Sequence, residues 1–136
     1  MKRPAGKTKI SERRRIKMKL FKPDESKRYI VTQENAPGHV DPENEGKVWR
    51  QAMTDGISPI RCGPSGFDGV PSKMHKHDGD QLVIITEGVC VCTNDKGESF
   101  EAYPGDVVLF EAGEMHTHGA RPGEKMVHYG ITYRPL

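Results

Sequence analysis

The stretch G-V-P-S-K-M-H-K-H-D-G-D-Q-L-V-I-I-T-E-G (Gly69–Gly88) decides how the rest of the chain is read. Its second half, Gln81–Thr86, is rich in β-branched and aliphatic side chains and is bounded by Gly79 and Gly88, which predicts a strand. Its first half holds His75 and His77 one residue apart. On an extended chain both rings leave the same face, about 6.5–7 Å apart, so the two imidazoles can converge on one ion. Gln81 has the same parity and can add an oxygen from that wall if the strand continues through Asp78-Gly79-Asp80.

Downstream, short strands alternate with turns. Gly88–Thr93 follows after one turn residue, Asn94–Gly97 turns, and Ser99–Tyr103 is a further strand. Pro104-Gly105 leads into Asp106–Phe110; His116–Gly119 and Lys125–Tyr133 complete the series. Upstream, Arg28–Gln33, Lys47–Met53 and Ile57–Cys62 are strand candidates. Ala36–Gly46 reads as a loop carrying His39, and Cys62–Ser72, rich in Gly and Pro, as a loop with tight turns. Strands recurring at roughly ten-residue intervals indicate an all-β sandwich or barrel, not an α/β unit.

The 136 residues suit one domain. Their net charge of +2 is uneven: residues 1–28 hold 12 Lys/Arg against 3 Asp/Glu, whereas the remainder holds 9 against 16. The expected organisation is a basic, flexible arm over 1–27 and a barrel over 28–136. The arm has only Phe21 to stack on a base, so it is read as a solvated tail rather than a nucleic-acid contact. No apolar run approaches a membrane span, and the basic N-terminus lacks an apolar signal core. A soluble cytoplasmic protein is expected. Cys90 and Cys92 share one strand face, where they are read as buried small hydrophobes rather than a disulfide or a zinc site.

Five of the six histidines fall between residues 75 and 128. One strand histidine is an ordinary polar side chain, but this density, with His75 and His77 at i, i+2, points to a metal site completed by His116 from another hairpin. His118 shares a face with His116 and either lines the pocket mouth or orients a neighbour. In Lys125–Tyr133, alternation puts Met126, His128, Gly130 and Thr132 on one face. An inward His128 beside a cation stays neutral, because burial and the nearby charge both oppose protonation, and it can then act as a general base.

Gly69–Gly88 resembles the first cupin motif, G-x5-H-x-H-x3-E-x6-G, and Gly105–His116 resembles the second, G-x5-P-x-G-x2-H. The resemblance implies a double-stranded β-helix, or jelly-roll barrel, with a divalent metal held by His75, His77, Gln81 and His116. Glu111 stands where the pattern has Pro, and Gln81 where most relatives have Glu. A neutral amide leaves the ion its full formal charge and makes it a stronger Lewis acid. The phrases H-x-H-x3-Q-x-x-I-x-T-x-G, P-G-D-V-V-x-F-x-x-G-E-x-H-x-H-G-A and M-x-H further resemble bacterial manganese-dependent cupin hydroxynitrile lyases, whose catalytic histidine falls at His128.

This resemblance implies a lyase acting on a small molecule, with Mn as the metal; Fe, Zn, Co and Ni suit the same donors. An Fe- or Mn-dependent dioxygenase or oxidoreductase and a non-catalytic small-molecule-binding barrel are the alternatives. A homodimer is expected, with Arg28–Gln33 able to extend a partner's sheet.

Overall fold

The structure, a computed structural model, describes residues 18–135. Most of the basic arm lies outside the described residues. Nine strands are formed: β1 (Tyr29–Ile30), β2 (Val48–Arg50), β3 (Ile60–Asp68), β4 (Gln81–Glu87), β5 (Cys90–Asn94), β6 (Ser99–Ala102), β7 (Val107–Phe110), β8 (His116–Ala120) and β9 (Lys125–Tyr133). Two short 3-10 turns, Glu25–Lys27 and Pro42–Asn44, are the only helical elements among the described residues. No helix among them is long and apolar enough to cross a membrane.

The strands form a six-stranded sheet in the order β1-β2-β3-β9-β4-β7 and a three-stranded sheet in the order β6-β5-β8. Every pairing is antiparallel. Bridges Pro71↔Gly119 and His75↔His116 lay the segment before β4 along β8, so the smaller sheet is edged by the chain that carries the first two histidines. Crossing between two antiparallel sheets in this way makes a jelly-roll barrel of the double-stranded β-helix type.

Alternation builds the core. In β4, Gln81, Val83 and Ile85 are buried, whereas Leu82 is exposed and Ile84 half-buried. Val83, Ile85, Phe67 and Met126 from the large sheet meet Cys90, Cys92 and Ala102 from the small one. Each fully buried aliphatic side chain contributes about 1.5–3 kcal/mol, so this compact set holds the two sheets together. The sulfurs of Cys90 and Cys92 lie 3.8 Å apart in the core as free thiols.

The loop expected over Cys62–Ser72 is instead largely strand, because β3 runs unbroken through Gly63, Pro64 and Gly66. Both glycines serve close approach. A Cβ on Gly63 would collide with the Gln51 carbonyl, and one on Gly66 with the Trp49 indole. Arg28–Gln33 contributes only the two residues of β1, which close the edge of their own sheet beside β2. Just before it, the buried Gln51 side chain accepts from Asp24 N–H at 2.9 Å and donates to the Lys22 carbonyl at 3.0 Å.

Candidate metal centre

Two elements bring the predicted residues together. His75 and His116 exchange both backbone hydrogen bonds, at 3.0 and 2.8 Å. Gly113, in the left-handed region at φ 82°, donates its N–H to the His77 carbonyl at 2.8 Å. The turn before β8 is thereby fastened to the segment carrying His75 and His77. The extended path expected through Asp78-Gly79-Asp80 is not what delivers Gln81, because the chain bends there and β4 begins at Gln81. The bend is held by Asp80, whose carboxylate accepts from Ala112 N–H and whose carbonyl accepts from Tyr133 N–H.

The rings cluster tightly. His75 lies 4.9 Å from His77 and 4.6 Å from His116 between centroids, and His77 lies 5.5 Å from His116. Nδ1 of His75 meets the Lys73 carbonyl at 2.6 Å, and Nδ1 of His116 meets the Glu114 carbonyl at 2.8 Å. A carbonyl can only accept, so each Nδ1 carries the proton and each Nε2 keeps a lone pair. Gln81 Nε2 donates to the Thr132 hydroxyl at 3.0 Å, which turns its oxygen the other way. Nε2 of His75, His77 and His116 and Oε1 of Gln81 are all buried without a hydrogen-bond partner.

Burial keeps the imidazoles neutral. It pushes His75 down to about 3 and His77 to about 4, and it lowers His116. Neutral nitrogens are what a cation requires. This histidine cluster is compatible with a divalent metal ion.

His118 and His128 form the inner wall. His118 Nδ1 and His128 Nε2 are 3.2 Å apart, and the Phe67 ring lies 5.5 Å from each. Burial, and then the charge of Arg50, push His128 down to about 4; burial holds His118 well below its usual value. His128 Nδ1 is buried and unpartnered. The expected inward face of β9 is observed, with Met126 and His128 buried and Gly130 and Thr132 lining a cavity of about 160 Å³ beside His75, His77 and Gln81. His118 is deep in this wall rather than at the mouth. His116 lies behind it, stacked on Phe110 at 3.8 Å and 7°.

Sequence reasoning passed over two residues. His39 brings its ring within 4.8 Å of His75 and 5.8 Å of His77, and its carbonyl accepts from Lys73 N–H. His39, His75 and His77 form one group with ligand atoms within 4.8 Å of one another; His75, His116 and His118 form another. A single histidine in a Pro/Gly loop carries no periodic signal. Arg50 also lines the cavity, and the signal was its spacing of two from the buried Val48.

An antiparallel jelly roll with a polar, histidine-lined interior defines the class. Residues 68–131 match the Cupin domain family. A cupin-like protein from Thermotoga maritima superposes with a TM-score of 0.60 at 28% identity, over 64% of this chain and 68% of that one. Over residues 68–131 the chain is similar to the cupin superfamily, and its fold is the jelly-roll barrel of those proteins. It is 39% identical over 66 residues, 48% of its length, to an (R)-mandelonitrile lyase from Granulicella tundricola. It is 40% identical over 55 residues, 40% of its length, to an arabinose operon regulatory protein from Salmonella typhimurium. The matches span 50% of the lyase and 18% of the regulatory protein.

Proposed function

We propose that the protein is a metal-dependent enzyme acting on a small organic molecule, a lyase of the hydroxynitrile-lyase type. His75, His77, Gln81 and His116 would hold a divalent ion, and His128 would be the general base. The supporting observation is the set of four buried donor atoms without partners, one from each of these side chains. Leaving such a group unsatisfied costs about 1–3 kcal/mol. A cation engaging all four would remove a penalty comparable to the stability of a small domain.

Bound there, the ion supplies Lewis-acid polarisation of a substrate oxygen; manganese is the first candidate, and Fe, Zn, Co or Ni suit the same donors. The chain's own residues handle the proton. With its Nε2–H donating to His118 Nδ1, His128 keeps the lone pair on its buried Nδ1. That nitrogen takes the hydroxyl proton of a cyanohydrin as the C–CN bond breaks, the carbonyl forms and the electron pair leaves with cyanide. Cyanide then takes the proton from His128, and neutral His128 is restored. Phe67, 5.5 Å from each ring, packs against that pair.

The similarity to an (R)-mandelonitrile lyase supports this chemistry. The test combines metal analysis with benzaldehyde release from mandelonitrile by the manganese-loaded chain. About one ion per chain is expected, with turnover falling roughly 100-fold or more in His128→Ala. A chain that takes up no metal, or undiminished turnover in His128→Ala, would sink the reading. Oxygen uptake with substrate in place of cyanide release would favour a dioxygenase. The likeness to a regulatory protein supports a non-catalytic binding barrel as the further reading.

The assembly proposed is a homodimer through the outer face of the large sheet. Leu82 pairs with Leu109 and Ile131, Ile84 with Val107, and Ile60 with Tyr133, all on that face. Val107, Leu109, Ile60 and Tyr133 are each about half exposed. An exposed apolar patch can pack against its own copy about a two-fold axis, so a second copy is the occupant that suits it.

A further inference from the structure

The inward face of β2 ends on a cation. Val48 and Arg50 are two apart and share a face; Val48 is buried in the core, and Arg50 lines the cavity with His77 and His128. Among the described residues, the side-chain ion pairs use Arg28, Arg61 and Arg121, and none uses Arg50. Arg50 shares that cavity with His39, His75 and Gln81 as well.

Register places this arginine. Arg50 lies opposite Ser65, and Ser65 lies opposite His128, so the three share one row across β2, β3 and β9. Arg61 begins a second row, opposite Thr132, which in turn faces Gln81. Between the rows stand Gly63 and Gly130, paired with one another and without side chains. Arg134 also lines the cavity, and among the described residues the one carboxylate lining it is Asp55, 3.9 Å from Arg61. Among the described residues, Arg50 therefore has no ion-pair partner in a concave site, and the four proposed ligands are all neutral.

A guanidinium left unmatched in such a place is satisfied by an anion, best by the two oxygens of a carboxylate in a bidentate, charge-assisted pair. The cavity volume of about 160 Å³ is below the roughly 300–1,000 Å³ of sites for drug-sized ligands. That leaves room for a small molecule rather than a nucleotide or a peptide.

We infer that the cavity also takes a small organic acid, its carboxylate held by Arg50 and a second oxygen turned towards His75, His77, Gln81 and His116. The second half of this statement rests on the metal-site reading above; the Arg50 contact does not.

Titration calorimetry on the full chain, metal-free and manganese-loaded, with lactate and its neutral amide lactamide tests the proposal. Lactate is expected to bind at least tenfold more tightly than lactamide. Arg50→Met should abolish that preference while its unfolding midpoint stays that of the parent, which reports an intact fold; Arg50→Lys should keep part of it. Arg28→Gln is the charge control, because the Arg28 guanidinium lies 3.7 Å above Trp49, away from the cavity. Equal affinity for the two compounds, no lactate binding, or an undiminished preference in Arg50→Met would overturn the proposal. So would an equal loss in Arg28→Gln, or inorganic phosphate binding more tightly than lactate. Failure of the lyase reading is seen separately, in metal content and cyanide release, while the Arg50-dependent preference is also read in the metal-free chain.

Discussion

Gln81 and Thr132 stand directly opposite one another on β4 and β9, and the Gln81 amide donates to the Thr132 hydroxyl at 3.0 Å. That bond decides which end of the amide faces the histidines. A glutamine has no intrinsic preference for presenting oxygen over nitrogen, so the partner on the next strand makes the choice.

Thr132→Val keeps the shape and removes the acceptor. Metal affinity is expected to fall about 10–100-fold, as when a partner orienting a ligand is lost. Competition with a fluorescent chelator measures it, and unchanged affinity would show that the amide does not bind the ion.

Removing the metal should lower thermal stability. A ligand present at 100 times its dissociation constant stabilises the folded chain by about 2.7 kcal/mol. The unfolding midpoint should therefore drop by several degrees in EDTA and return on adding Mn²⁺. In His116→Ala the midpoint should no longer respond to either.

Acidification should destabilise the metal-free chain. Burial lowers His128 from 6.5 to about 4. As pH falls through that window the unfolded chain takes up a proton that the folded chain refuses, so stability falls with pH there and is level above it. At pH 5 this single group costs about 2 kcal/mol relative to neutral pH. In urea unfolding, His128→Asn should flatten the slope between pH 4 and 6.5; an identical slope would disprove this assignment.

Leu109→Glu places a charge on the outer apolar face at its β7 edge, where Leu109 is about half exposed. The variant should fold, bind metal as the parent does and run as a monomer in light scattering. A parent chain already monomeric at high concentration would end the dimer proposal.

Much of the architecture was legible because a half-buried strand writes its two faces into alternate residues. Lys125–Tyr133 was readable on that ground, and Gln81–Thr86 from its β-branched residues between glycines. Cys62–Ser72 was not: its glycines signal turns by local preference, but here they let Trp49 and the Gln51 carbonyl press against β3. Contacts between distant segments outweighed the local signal.

The sequence by itself determined an all-β sandwich or barrel, and the resemblance of its two motifs implied the jelly roll and the gathering of His75, His77 and His116, because strand period and motif spacing are properties of the chain alone. Only the tertiary structure decided which nitrogen each ring turns inward, that His118 backs His128, and that His39 and Arg50 stand at the same cavity. Those choices depend on partners far away in sequence, such as Thr132 for Gln81 and Ser65 for Arg50, and no local pattern encodes a partner across a sheet.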